Sequence, residues 1–184
     1  MTVLDFFARW RVRLGYPLAV VVLWLARPTP RSIFVGASVG ILGLAIRAYA
    51  AGYLHKQEVL TTTGPYAHTR NPLYLGSGIL AVGTAVCTNS WWSAAVLLLY
   101  FALVYSFVMR REEMELRAKH GAAFDAYAAA VPLFFPRVFA QTRGEARNGG
   151  FRWQQYRKNH EYQATLGFFL LLIALAVIWY LRAH

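Results

Sequence analysis

The chain has 184 residues, of which 58% are hydrophobic, 16% aromatic and only 15% charged, with a mean hydropathy of +0.37. That composition excludes a disordered chain, which needs low hydrophobicity, and leaves too little polar surface to cover a soluble core. The formal net charge of +11 would suggest nucleic acid in a soluble protein. In a membrane protein it first reports loops facing anionic headgroups, so no nucleic-acid partner is expected.

The N-terminus, MTVLDFFARWRVR, places aromatics and an Asp before its basic cluster, which argues against a cleaved signal peptide. A first apolar stretch, Leu14 to Ala26, is closed by Arg27-Pro28-Thr29-Pro30-Arg31. A second runs from Ile33 to Leu54 and contains Arg47. The third, Leu73 to Thr88, is short and carries Gly76, Gly78 and Gly83. It is separated from the fourth, Trp91 to Met109, only by Asn89-Ser90, which predicts a tight helical hairpin with Trp91 and Trp92 at an interface.

The fourth helix is expected to run on to His120, because Met109–His120 holds strong helix formers and Gly121 suits a C-cap. Trp91 to His120 would be about 45 Å long. Glu113 with Arg117, and Glu115 with Lys119, stand at i,i+4 spacing. A short helix near Phe124–Ala129, an extended Val131–Pro136, a polar linker 141–150 and a basic aromatic segment 151–162 follow. The last span is Ala164 to Leu181.

The fold class expected is therefore all-α, a polytopic integral membrane protein with about five transmembrane helices. Residues 1–140 form the core, 141–150 a linker, and 151–184 an interfacial segment with the C-terminal span. With the N-terminus inside, fifteen of the 19 Lys and Arg fall on the cytoplasmic side, against Arg27, Arg31 and Arg182 outside. Residues 55–72 and 110–163 are then cytoplasmic, with His55, Lys56, His68, His120 and His160, and His184 lies outside. The lone cysteine, Cys87, allows no intrachain disulfide, and no Cys/His pattern predicts a metal site.

Chemistry concentrates in Leu60–Gly76. Gly64-Pro65 makes a turn, and Asn71-Pro72 starts a helix with proline at its first position. The positive end of that helix, together with Arg70, suits a carboxylate or phosphate. Gly76 and Gly78 open the helix surface to a flat ligand or, more ordinarily, to a neighbouring helix. Glu112-Glu113, one turn past the membrane end of the fourth helix, is a solvated pair unless one carboxylate turns back to the loop. Adjacent helical residues diverge by about 100°, so both should not serve one ligand equally. Arg47 either snorkels or belongs to a site. His68 could accept a proton.

These residues carry a resemblance. GPYAHTRNPLYLG (Gly64–Gly76) and REEMELRAKHGAAFDAYAAAVPLFFPR (Arg111–Arg137) resemble the bipartite signature of the isoprenylcysteine carboxyl methyltransferases and phospholipid N-methyltransferases. The similarity spans residues 40–137 and leaves 151–184 unexplained. It implies S-adenosylmethionine as methyl donor, S-adenosylhomocysteine as product, a cytoplasmic cofactor site and a lipidic acceptor. Carried over, it implies a cofactor site of Tyr66, His68, Arg70, Asn71, Pro72, Tyr74, Gly76, Gly78, Glu112 and Glu113, with Arg70, Asn71 and Glu113 in catalytic roles. Asn71 stands where the carboxyl methyltransferases have His. It cannot titrate, which favours a carboxylate acceptor over a phospholipid amine, or a base at His68 or Glu113. The expected location is a bacterial inner membrane. A polyprenoid or sterol reductase and a non-catalytic membrane subunit are the competing readings.

Overall fold

The computed structural model describes residues 3–54, 59–139 and 150–183, excepting the side chains of residues 3–9, 11 and 12. His55, Lys56, His184 and all of the expected linker but Gly150 lie outside the described residues. Among the described residues seven α-helices follow in order: α1 (Val3–Leu25), α2 (Pro30–Tyr53), α3 (Pro72–Thr88), α4 (Trp91–His120), α5 (Ala122–Ala130), α6 (Trp153–Lys158) and α7 (Tyr162–Ala183). A 3-10 turn at Gly64–Ala67 precedes α3, and among the described residues there is no strand.

Among the described residues three helices, α2, α4 and α7, are long and apolar enough to cross a membrane, and Arg13–Leu25 and Pro72–Thr88 are shorter apolar helices. The protein is thus all-α and polytopic. The first stretch extends beyond Leu14–Ala26, because α1 begins at Val3 and runs through Pro17. At 17 residues, α3 measures about 26 Å and falls short of a hydrocarbon core of about 30 Å.

Local chemistry sets the helix ends. Thr29 caps α2 in a capping box: its Oγ1 accepts from the Ser32 amide at 3.1 Å, and the Thr29 amide donates to Ser32 Oγ at 2.9 Å. Asn89 turns the α3–α4 hairpin in the left-handed region (φ 47°), and Ser90 caps α4. The Asn89 side chain donates to Arg27 O at 3.1 Å, tying the hairpin tip to the α1–α2 connection. Gly121, at φ +52°, ends α4 where expected.

The centre of the bundle is the α2–α3 pair. α4 packs on α3, α1 leans on α4, and α7 lies along α2. The glycines explain how closely α2 and α3 approach. A Cβ on Gly83 would sit 2.5 Å from the Gly40 amide nitrogen and 2.7 Å from the Gly36 carbonyl. A Cβ on Gly43 would lie 2.6 Å from Leu80 N. Small residues of this kind let membrane helices pack backbone to backbone, in the absence of a hydrophobic drive between helices in lipid. On its other side α2 receives Phe168 of α7 over Gly40, and Phe151 over Gly52.

Candidate functional site

Both motif halves meet at one end of the bundle, and backbone hydrogen bonds join them. The Arg70 amide donates to Pro132 O at 2.9 Å, and the Arg137 amide donates to His68 O at 3.0 Å. Thr69 Oγ1 donates to Phe134 O at 2.9 Å, and Asn71 Nδ2 donates to Leu133 O at 3.0 Å. Tyr127 of α5 donates its hydroxyl to Tyr66 O at 2.7 Å. The extended Val131–Pro136 segment therefore lies against the loop before α3, and the loop cannot shift without it.

The structure brings together Tyr66, Arg70, Tyr74, Glu112 and Glu113. Arg70 forms an ion pair with Glu113, with side-chain exposures of 16% and 22%. Tyr74 donates to Glu112 Oε1 at 2.6 Å. Both neighbouring glutamates thus turn back toward the loop side, against the expectation that only one would. The reason is that they reach different heights: one meets the loop residue before α3, the other the first turn of α3. The expected Glu113–Arg117 pair does not describe this end of α4. Glu113 faces Arg70, Arg117 pairs with Asp125 at 2.7 Å, and Glu115 takes Arg111 at 2.9 Å.

Three buried polar atoms here make no hydrogen bond among the described residues: Tyr66 Oη, Arg70 Nε and Glu113 Oε1, the last held only in the ion pair with Arg70. Tyr66 is 6% exposed. Its hydroxyl is raised well above the usual tyrosine range, first by burial and then by Tyr127, Glu112, Tyr74 and Glu161. Tyr127 is raised too, by burial and by Glu113, with Arg70 opposing. Both hydroxyls are therefore protonated at neutral pH, and Tyr66 holds an unused donor. Leaving such a group buried and unmatched costs about 1–3 kcal/mol.

The remaining candidates separate. Asn71 is committed to Leu133 and does not cap α3 with its side chain. Pro72 is buried at the first position of α3. Gly76 faces α2: a Cβ there would lie 2.7 Å from Arg47 Cγ and from Gly43 O. Gly76 is thus a helix contact rather than an opening for a ligand. Gly78 faces the other way, toward Phe101 at 3.2 Å and Phe134 at 3.4 Å. His68 lies at the rim, with Nδ1 2.8 Å from Arg137 O. A carbonyl only accepts, so Nδ1 carries the hydrogen and Nε2 is the acceptor of the neutral ring.

Three participants went unnamed in the sequence reading. Tyr127 stands between the glutamate pair and the proline-rich exit. Glu161 forms a two-pronged pair with Arg47, Nε to Oε2 at 3.0 Å and Nη2 to Oε1 at 3.0 Å. Ser77 Oγ accepts from the same guanidinium. Arg47 is therefore paired rather than snorkelling. The available signal was chemical: a charge inside a span needs a partner, and Glu161 is an acid placed at the entry of another span. Separately, an apolar groove of about 360 Å³ opens between α1 and α4, lined by Leu14, Pro17, Val21, Val96 and Leu103 among others. Among the described residues no three of His, Cys, Asp and Glu converge as a metal site.

Comparison with known proteins identifies the family. Residues 10–123 match the family described as phospholipid methyltransferase. The chain is 40% identical over 107 residues to the nickel-cobalt-cadmium resistance protein NccN of Alcaligenes xylosoxydans xylosoxydans, covering 55% of this chain and 50% of the relative. It is 37% identical over 115 residues to the cobalt-zinc-cadmium resistance protein CzcN of Cupriavidus metallidurans, covering 59% and 52%. It is 29% identical over 99 residues to the protein-S-isoprenylcysteine O-methyltransferase of Schizosaccharomyces pombe, covering 52% and 41%. The chain spans about half the length of these relatives. No solved structure matches it. Because the matched stretch runs from α1 through α4 and takes in the first motif half and the Glu112-Glu113 part of the second, the chain belongs to the phospholipid methyltransferase family.

Proposed function

We propose that the protein moves the methyl group of S-adenosylmethionine to a lipidic acceptor at the cytoplasmic face of a bacterial inner membrane. The excess of Lys and Arg at the site's end of the bundle supports that orientation. We take residues 1–140 as the catalytic core and 151–184 as an appended interfacial segment and span, joined by the 141–150 linker. The observation that carries the reading is the half-buried Arg70–Glu113 pair, with Tyr66 Oη and Arg70 Nε left unmatched at the same site.

The residues present fit such a donor. A zwitterionic amino-acid end needs one anion and one cation close together, and Glu113 and Arg70 supply them. Glu113 would hold the ammonium and Arg70 the carboxylate, so that the ion pair of the ligand-free protein gives way to two. Tyr66 offers a hydroxyl donor, and Tyr74 fixes Glu112 to complete the acidic wall. His68, Asn71, Pro72 and Gly78 would frame the site, with Asn71 keeping the loop on Leu133. When bound, S-adenosylmethionine supplies an electrophilic methyl on a sulfonium. The chain's own contribution is alignment and exclusion of water.

An isoprenylcysteine-type carboxylate is favoured over a phospholipid amine. Displacement by a carboxylate needs no base, and Asn71 cannot be one. An amine would first have to lose a proton, for which His68 at the rim is the candidate base. The fission-yeast relative's name agrees with a carboxylate. The apolar groove between α1 and α4 suits the acceptor's hydrocarbon part. Leu103 on its wall is nine residues from Glu112, about 14 Å along α4.

The test is incubation of the purified protein with methyl-labelled S-adenosylmethionine and total membrane lipid, with mass identification of the product. A base-labile methyl is expected. A base-stable methyl would overturn the choice of acceptor, and no transfer in any lipid mixture would overturn the reaction.

A further inference from the structure

The C-terminal segment, residues 151–183, reaches the site through one arginine. Glu161, at the entry to α7, grips Arg47 of α2 with both oxygens. The opposite edge of the guanidinium holds the start of α3: Nη1 donates to Ser77 Oγ and lies 3.5 Å from Leu73 O. Between those two residues stands Tyr74, whose hydroxyl donates to Glu112. Polar contacts thus run from Glu161 through Arg47 to Leu73 and Ser77 of α3, and the α3 backbone carries them to Tyr74 and its bond to Glu112 at the acidic wall of the site.

Three features show that this line is built in. The Arg47 stem passes over Gly76, where any Cβ would collide with it. The turn before α7 is seated separately, by Asn159 Nδ2 donating to Ala51 O at 2.8 Å and Leu54 O at 3.2 Å. His160 holds a left-handed conformation at φ 56°, uncommon for a residue with a side chain, and this conformation sets Glu161 where it stands. A buried ion pair adds little to stability that apolar side chains could not supply. Packing of α7 on α2 is already provided by Phe168 over Gly40.

We propose that Glu161, acting through Arg47, is a positioning residue for the methyl-donor site: it fixes the opening turns of α3 so that Tyr74 reaches Glu112. The inference rests on the donor site proposed above and assigns the C-terminal segment a part in it. Glu161 touches no donor itself.

The experiment is calorimetric titration of S-adenosylhomocysteine into the full-length protein in nanodiscs, with thermal unfolding in parallel. Glu161→Gln should bind at least about tenfold more weakly, and Tyr74→Phe should add little in that background, because both act on one line of contacts. Ser77→Ala, which leaves the Arg47–Glu161 pair intact and is small enough to fold, should also weaken binding. Phe168→Ala should lower the unfolding temperature with unchanged affinity. Wild-type affinity in Glu161→Gln or Ser77→Ala, or additive losses with Tyr74→Phe, would overturn the positioning role. A wild type that does not bind would overturn the donor site and, with it, the role.

Discussion

Tyr66 and Tyr127 show how single residues separate a structural from a functional role. The Tyr66 hydroxyl is buried with no partner, so Tyr66→Phe removes an unmatched donor. The ligand-free protein should then be unchanged or more stable, by up to about 1 kcal/mol, while donor affinity falls. Thermal unfolding with and without S-adenosylhomocysteine reads both signs. A destabilised ligand-free variant with normal affinity would mean that the hydroxyl serves the fold. Tyr127 makes a pH prediction. Its folded-state pKa lies above the ordinary 10.0, so its contribution is complete below about pH 10 and is lost as pH rises from there toward the raised value. Unfolding temperature should fall above that pH, and more gently in Tyr127→Phe. A variant with the full alkaline slope would assign the loss to other groups. The residues legible in sequence were those set in special motifs, Arg70 and the Glu112-Glu113 pair. Glu161 was not, because its partner Arg47 stands 114 positions away and only the fold brings them together.

At the scale of elements, α2, α3, α4, α5 and α7 were readable to within a few residues, whereas α1 begins at Val3, well before the expected Leu14. α4 runs from Trp91 to His120 and stops at Gly121, because helix formers and a glycine stop signal are local properties. Which faces meet is not local. Gly76 reads equally as a ligand notch or a helix contact until α2 is in place, and the α2–α3 seam then decides for contact. The seam makes a sharp prediction. Gly83→Ala puts a methyl against the Gly40 and Gly36 backbone, which cannot move without parting the helices, and should cost about 1–3 kcal/mol. Gly167→Ala, in α7 with nothing within 4 Å of the added carbon, should be neutral or stabilising by up to about 1 kcal/mol. Equal unfolding temperatures for the two variants would contradict the seam.

For the whole molecule, composition gave the class, and the distribution of charge gave the expected orientation. The +11 net charge falls mostly on the segments expected to face the cytoplasm. The charges that stand apart are the few that are half-buried and paired: Arg70 with Glu113, and Arg47 with Glu161. Tyr66, Tyr74 and Glu112 stand with them at the same end of the bundle. Ligand binding at that end should stabilise the entire protein, by about 2.7 kcal/mol at a hundredfold excess over Kd.

The central claim is that Arg70 and Glu113 hold the two charged ends of a methyl donor rather than merely each other. Its most direct test is S-adenosylhomocysteine titration into wild type and the charge-swapped Arg70→Glu/Glu113→Arg protein. The swap preserves the ion pair but exchanges its polarity. The account predicts binding by the wild type, and a folded swap variant whose affinity is lost. A swap variant that binds as the wild type does, or a wild type that fails to bind at millimolar ligand, would contradict it.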